Sequence, residues 1–138
     1  MEVGSGSGYT SRRILDTFPQ VELTAIDLDP NAQTHFAALQ EHYGQRLIFR
    51  QADMLSLPFD RASFDMVLAL NVLHRVRDQQ RAIRQFLRVL KEGGLIGIVG
   101  VRPKPDVVEL LLRDEGMEVV VSQGRAHYYI WAREPYTD

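Results

Sequence analysis

Short apolar runs alternate along the chain with segments whose apolar residues recur every three or four positions. The runs have the length of strands covered on both faces. They are Leu23 to Ile26, Leu47 to Phe49, Met66 to Leu70 and Leu95 to Val99. The helical patterns comprise Ala32, Phe36, Leu39 and Tyr43, and then Ile83, Phe86, Leu87 and Leu90. This alternation predicts an α/β fold with a doubly wound, mostly parallel sheet.

The boundaries of these elements carry their own signals. Asp29-Pro30 is typical of a helix start, and Gly93-Gly94 is expected to end the second helix after Lys91. A further helix is predicted over 107–112. The last two runs, 117–121 and 128–131, flank the turn Ser122-Gln123-Gly124 and are expected to pair antiparallel at the carboxyl-terminal edge.

Composition sets the class of protein. A chain of 138 residues with 45% hydrophobic content is expected to form one domain, residues 1–138. It has no cysteine, no apolar run of membrane-spanning length and no secretory leader, so we expect a cytoplasmic protein. A net charge of −2 offers nothing global to attract nucleic acid or an anionic membrane.

The glycine-rich stretch EVGSGSG, residues 2–8, joins the first short apolar run to a helix expected near Tyr9. In doubly wound sheets, ligands bind beyond the carboxyl ends of the strands. Gly4, Gly6 and Gly8 allow a sharp turn and let a ligand approach the main chain closely. A plain tight turn is the alternative, because a glycine pattern alone is a weak signal.

Asp27 follows the second run, 19 positions after Gly8, where a carboxylate can accept hydrogen bonds from both hydroxyls of a ribose. A nicotinamide dinucleotide and other adenosine cofactors both fit that pair of clues. The spacing G-x-G-x-G and the acid Glu2 disfavour a diphosphate and favour a cationic ligand such as S-adenosylmethionine, with its ammonium and sulfonium groups. A nicotinamide-dependent oxidoreductase remains as an alternative hypothesis.

Four stretches in order resemble the motifs of the class I S-adenosylmethionine-dependent methyltransferases, in particular the branch that includes quinone-biosynthesis enzymes. The stretches are EVGSGSG, LTAIDLDP, QADMLSLPFDRASFDMVLALNVLHRV and FLRVLKEGGLIGIV. The resemblance covers nearly the whole chain. It implies a Rossmann-like sheet, S-adenosylmethionine as cofactor, S-adenosylhomocysteine as product, and a small-molecule methyl acceptor.

The resemblance also implies roles for individual residues. The glycines would border the methionine portion of the cofactor, with Glu2 near its amino group and Asp27 on the ribose hydroxyls. Leu28 would pack on the adenine, Asp53 would accept from its amino group, and Met54 would offer its amide and thioether to the ring. Asn71 would lie near the methyl donor. The expected cofactor residues are thus Glu2, Gly4, Gly6, Gly8, Asp27, Leu28, Asp53, Met54 and Asn71.

Transfer of an activated methyl group needs an aligned acceptor more than a protein nucleophile. If the acceptor must lose a proton, His74 is the candidate base. His35 and His42, seven positions apart without a third ligand, predict no metal site. The basic residues Arg77, Arg81, Arg84, Arg88 and Lys91 recur on one helix and are expected to form mainly a solvated face rather than an RNA-binding surface.

Members of this family usually carry helices ahead of the first strand, and this sequence places only two residues between Met1 and Gly4. A strand so short would leave backbone groups of its neighbours unpaired, so we expect a second copy to fill the gap in a homodimer. The same feature leaves an alternative function open. The domain would then be a non-catalytic S-adenosylmethionine-binding module, or a truncated methyltransferase that needs a partner chain.

Overall fold

The computed structural model describes residues 1–135, in which seven strands and four α-helices follow one another in the predicted order. The elements are β1 (Glu2–Val3), α1 (Tyr9–Thr17), β2 (Leu23–Asp27), α2 (Ala32–Tyr43), β3 (Leu47–Gln51), β4 (Phe64–Leu70), α3 (Gln79–Val89), β5 (Leu90–Gly100), α4 (Pro105–Asp114), β6 (Glu118–Gln123) and β7 (Tyr128–Arg133). The chain divides into two compact units, Met1–Asp53 and Met54–Asp138. That residues 1–138 act as one domain stays a prediction.

The first unit is a parallel arrangement of three strands in the order β3-β2-β1. Helix α1 packs on β2 and α2 packs on β3. Their apolar faces meet in one buried cluster, in which the rings of Phe36 and Phe49 stack with centroids 4.7 Å apart. This cluster of Leu15, Leu23, Ala25, Phe36 and Leu47 joins both helices to β2 and β3. Because β1, β2 and β3 are parallel, their carboxyl ends lie at one edge.

The second unit has the strand order β4-β5-β7-β6. Strands β4 and β5 are parallel, whereas β7 is antiparallel to both β5 and β6. Helix α3 packs on β5, and α4 packs on β6 and β7. The predicted doubly wound, mostly parallel fold with an antiparallel carboxyl-terminal edge is therefore confirmed.

One predicted boundary is wrong. Helix α3 ends at Val89, before the expected Gly93-Gly94, and β5 already begins at Leu90. Leu90 is buried and pairs with Phe64 of β4, which draws the chain into the sheet earlier than its helical spacing indicates. A register shift after Phe64 and a positive φ of 75° at Gly93 accommodate the extra residues of β5.

Most of the basic residues on and beside α3 are exposed, as predicted, and Arg88 is the exception. Arg88 is half-buried, and its guanidinium donates to the carbonyl oxygens of Leu57 and Phe59, each at 2.7 Å. Arg81 donates to the carbonyl of Leu55 at 2.9 Å. Arg84 is exposed beside the carboxylate of Glu115. Arg81 and Arg88 hold the segment between β3 and β4 onto α3.

Candidate functional site

The turn between β1 and α1 is fastened to the end of β2 by backbone hydrogen bonds. The amides of Gly4 and Ser5 both donate to the carbonyl oxygen of Ile26, at 2.9 and 3.0 Å, and the hydroxyl of Ser5 donates to the same oxygen at 3.0 Å. Gly4, Gly6 and Gly8 have φ values of 69°, 52° and 84°. These left-handed conformations explain why glycine alternates along the turn.

Asp27 joins this turn to the strand that ends beside it. Its side chain is 5% exposed, Oδ2 accepts from the amide of Gly6 at 2.8 Å, and Oδ1 accepts from the amide of Asp29 at 2.9 Å. Each carboxylate oxygen has a second lone pair, so the capacity to accept from a ribose remains. Asp27, which is predicted to bind a ribose, therefore also stabilises the turn between β1 and α1, called the glycine turn below.

Glu2 lies beneath the same turn and is 2% exposed. Burial raises the pKa of its carboxyl group above the ordinary 4.5, while a hydrogen bond donated by the hydroxyl of Ser11 to Oε1 acts in the opposite direction. Ser11 is fully buried and is absent from the predicted site residues. Its signal in the sequence is a polar residue four positions before Leu15, on the buried face of α1.

Leu28 and Asp53 reach the same edge through the register of β2 and β3. The amide of Ala52 donates to the carbonyl of Asp27 at 3.1 Å, and the side-chain amide of Gln51 donates to the carbonyl of Leu28 at 3.1 Å. The Leu28 side chain is 63% exposed, although it is apolar. The first unit thus collects Glu2, the glycine turn, Asp27, Leu28 and Asp53 at the carboxyl ends of its strands.

The other three predicted residues belong to the second unit. Met54 is half-buried in a turn at its start. Asn71 follows β4 with a positive φ of 56°, and its amide donates to the carbonyl of Val99 at 2.7 Å. A non-glycine residue with this φ is uncommon and marks a constrained position. His74 is exposed in the 3₁₀ turn Leu73–Arg75.

The first unit offers a cation a better environment than it offers a diphosphate. Two carboxylates, Glu2 and Asp27, lie under the turn, and the charge of Asp27 adds to the burial that raises the pKa of Glu2. Negative charge so placed also disfavours any anion beside it. A Cβ built at Gly6 meets no atom within 4 Å, so the outer side of the turn is open. These carboxylate acceptors fit the cationic ammonium and sulfonium groups and the ribose hydroxyls of S-adenosylmethionine.

A family model described as a methyltransferase domain matches residues 1–98, which is more than half of the chain. This chain belongs to the class I S-adenosylmethionine-dependent methyltransferases. The 27-O-demethylrifamycin SV methyltransferase of Amycolatopsis mediterranei is similar to this methyltransferase domain at 31% identity, over 97% of this chain and 52% of that protein. The demethylmenaquinone methyltransferase of Roseiflexus castenholzii is also 31% identical, over 75% of this chain and 43% of that protein.

The methyltransferase domain thus spans about half the length of these two relatives. Its fold is that of the solved S-adenosylmethionine-dependent methyltransferase from Aquifex aeolicus, with a TM-score of 0.81 at 18% identity over 95% of this chain and 79% of that chain. At such an identity the likeness shows the fold. The resemblance to class I methyltransferases seen in the sequence is confirmed.

Across residues 1–135, no three acidic or histidine side chains are grouped closely enough to bind a metal ion. No helix in that same range has the length and apolar character needed to cross a bilayer.

Proposed function

We propose that this domain transfers the methyl group of S-adenosylmethionine to a small-molecule acceptor and releases S-adenosylhomocysteine. The observation that carries the proposal is the glycine turn braced by Asp27 above the buried carboxylate of Glu2. Membership of the methyltransferase family supports the same reaction. Two relatives are named as methyltransferases of 27-O-demethylrifamycin SV and of demethylmenaquinone. Both names describe small molecules and so support a small molecule as the acceptor.

The cofactor, when bound, supplies a methyl group on a positively charged sulfur that leaves as a neutral thioether. A nucleophilic atom of the acceptor would form the new bond to the methyl carbon as the carbon–sulfur bond breaks and its electron pair stays on sulfur. Any proton that the acceptor loses would pass to solvent or to His74. The residues of this chain bind and orient the reactants, which is the main requirement of an in-line displacement.

We assign the binding roles by chemistry. Glu2 attracts the amino group, and the open turn at Gly6 admits the methionine portion. Asp27 accepts from the ribose hydroxyls while it holds the turn. Leu28, exposed and apolar, packs on the adenine, and Asp53 accepts from its amino group. Met54 and Asn71 complete the proposed set, with Met54 at the adenine edge and Asn71 near the reacting methyl group.

Calorimetric titration tests the cofactor. S-adenosylmethionine and S-adenosylhomocysteine are both expected to bind at micromolar concentration, and the reduced nicotinamide cofactor is expected not to bind. Failure to bind either adenosyl compound would overturn the proposal. A methyl-labelled cofactor and a panel of hydroxylated acceptors then separate an enzyme from a module that only binds, because a binding module shows saturation without transfer.

The assembly and location of the protein are also proposals. We propose a cytoplasmic homodimer, and light scattering at micromolar concentration tests the dimer directly. A mass near 15.8 kDa, that of one chain, would contradict it. A partner chain that completes the protein would instead appear as methyl transfer that depends on adding that partner.

A further inference from the structure

Tyr128 begins β7, and its hydroxyl group is buried. The side chain is 4% exposed, and within residues 1–135 its phenol oxygen is the one buried side-chain polar atom without a hydrogen-bond partner. Buried polar groups in folded proteins are almost always paired, because leaving one unpaired forfeits its hydration without return. The buried hydroxyl of Tyr128 therefore has a free hydrogen-bonding capacity that no other group in residues 1–135 uses.

The register of the strands places this hydroxyl at the carboxyl end of β5. Tyr128 pairs with Gly100, the last residue of β5, and Leu70 at the end of β4 pairs with Val99. Asn71 donates its amide to the carbonyl of Val99 on the opposite side of β5. Adjacent strands lie about 4.8 Å apart, so the backbones at Asn71 and Tyr128 are separated by about 10 Å. Ligands of doubly wound sheets bind beyond this edge.

Gly100, which pairs with Tyr128, leaves space for the tyrosine ring. A Cβ placed on Gly100 would come 3.0 Å from the phenol oxygen and 3.2 Å from Cζ. The same Cβ would lie 3.5 Å from the carbonyl oxygen of Arg102. Only a glycine allows the ring to lie this close to the main chain of β5. The hydroxyl is therefore held against the end of β5 by packing rather than by hydrogen bonding.

We propose that the hydroxyl of Tyr128 donates a hydrogen bond to an oxygen atom of the methyl acceptor and so selects and orients acceptors that carry such an oxygen. The inference rests on the proposed methyl transfer and adds a residue that determines its specificity. Burial raises the pKa of the Tyr128 phenol above its usual value of 10.0, so the group stays protonated at neutral pH and acts as a donor rather than as a base.

A structural hydroxyl and an acceptor-binding hydroxyl predict different effects of Tyr128→Phe on stability and turnover. If the group were paired within the fold, Tyr128→Phe would lower the melting temperature and leave turnover unchanged. If the hydroxyl is unpaired until an acceptor arrives, Tyr128→Phe removes a desolvation penalty and keeps the ring. The melting temperature then stays constant or rises, while recognition of the acceptor is lost.

The experiment compares Tyr128→Phe with Tyr129→Phe, a neighbouring substitution on the exposed face of the same strand. Soluble naphthoquinols and catechols serve as acceptors, with a methyl-labelled cofactor, and S-adenosylhomocysteine serves as the probe of the cofactor site. We expect Tyr128→Phe to lower kcat/KM for these acceptors about 5- to 50-fold, chiefly through KM, with an unchanged Kd for S-adenosylhomocysteine. Tyr129→Phe should match the wild type.

Several results would overturn the assignment. An unchanged kcat/KM, or a melting temperature lowered by several degrees in Tyr128→Phe, would show a structural hydroxyl. Binding of S-adenosylhomocysteine without transfer by the wild type to any of these acceptors would also reject the role of Tyr128 and leave the cofactor site standing. Failure of the wild type to bind S-adenosylhomocysteine would instead reject the proposed function.

Discussion

The amide of Gly6 donates to Oδ2 of Asp27 at 2.8 Å, so one carboxylate links the glycine turn to the end of β2. The other oxygen of Asp27 accepts from the amide of Asp29 at 2.9 Å. A carboxylate fixed on both sides by main-chain donors has little rotational freedom left to lose when a ligand arrives. The proposed cofactor site of the first unit is therefore preorganised around Asp27.

Replacement of Asp27 tests this double role. Asp27→Ala is expected to weaken binding of S-adenosylhomocysteine by about 1.5 to 3 kcal/mol, because charge-assisted hydrogen bonds to the ribose are lost and the turn is released. Titration calorimetry measures the change. Asp29→Ala is the control, since Asp29 is exposed and its carboxylate accepts from the neighbouring amide of Asn31. A dissociation constant unchanged in Asp27→Ala would mean that the ribose lies elsewhere.

The periodic pattern predicted the fold because burial on both faces of a parallel strand leaves a continuous apolar run in the sequence. It misplaced the start of β5 because Leu90 satisfies a helical face and a strand pairing equally well. Only its pairing with Phe64, 26 positions earlier, decides between them. Boundaries that depend on such distant partners are not visible in a local window.

The candidate site likewise has features that the sequence indicates and features that only the folded structure shows. The glycines, Glu2 and Asp27 were predicted because their residue types are unusual where they stand. The hydrogen bond from Gly6 to Asp27 spans 21 positions, and no local spacing indicates it. In the sequence, Tyr128 is typical of a core or edge residue of the last strand, because a missing hydrogen-bond partner is a property of the packed structure alone.

The glycine turn offers a second test, at Gly6. Gly6 and Gly44 both have positive φ values, 52° and 60°, and a Cβ at either meets nothing within 4 Å. Gly6→Ala and Gly44→Ala should therefore both lose stability by urea denaturation, about 1 kcal/mol or more, from backbone strain alone. Gly44→Ala should lose more, because its ψ of −134° lies outside the left-handed helical region. Only Gly6→Ala should also weaken binding of S-adenosylhomocysteine, by about 10-fold or more, because its methyl group occupies the open side of the turn. Equal binding by both variants would place the ligand away from Gly6.

A comparison within α3 tests the structural arginine. Arg88→Ala removes two hydrogen bonds to carbonyl oxygens in the segment before β4 and is expected to lower the free energy of unfolding by about 2 kcal/mol. Arg84→Ala removes an exposed ion pair with Glu115, 2.7 Å long, and should cost less than about 1 kcal/mol. Urea denaturation of both variants measures the difference. Equal losses would indicate that the Arg88 bonds are no stronger than a surface pair.

The buried acid Glu2 makes stability and cofactor binding depend on pH in opposite directions. Its folded-state pKa is raised above 4.5 by burial, so the folded protein binds the proton more tightly than the unfolded chain does. Stability from this group is present below pH 4.5 and is lost as the pH rises through the folded-state value. Glu2→Gln should therefore raise the melting temperature at pH 8 by about 2 to 4 °C.

The same substitution should weaken binding of S-adenosylmethionine at pH 8 by about 10-fold, because the carboxylate that attracts a cation is gone. In the wild type, affinity should rise with pH as Glu2 ionises, and in Glu2→Gln this part of the pH dependence should vanish. Calorimetry and thermal melts from pH 4 to 8 measure both effects, and Glu22→Gln, at an exposed position, is the control. Melting curves that shift in parallel for wild type and Glu2→Gln would mean that the folded and unfolded states bind the Glu2 proton equally. A stabilised variant that binds the cation less well would instead show that the fold retains a costly buried charge because the ligand needs it.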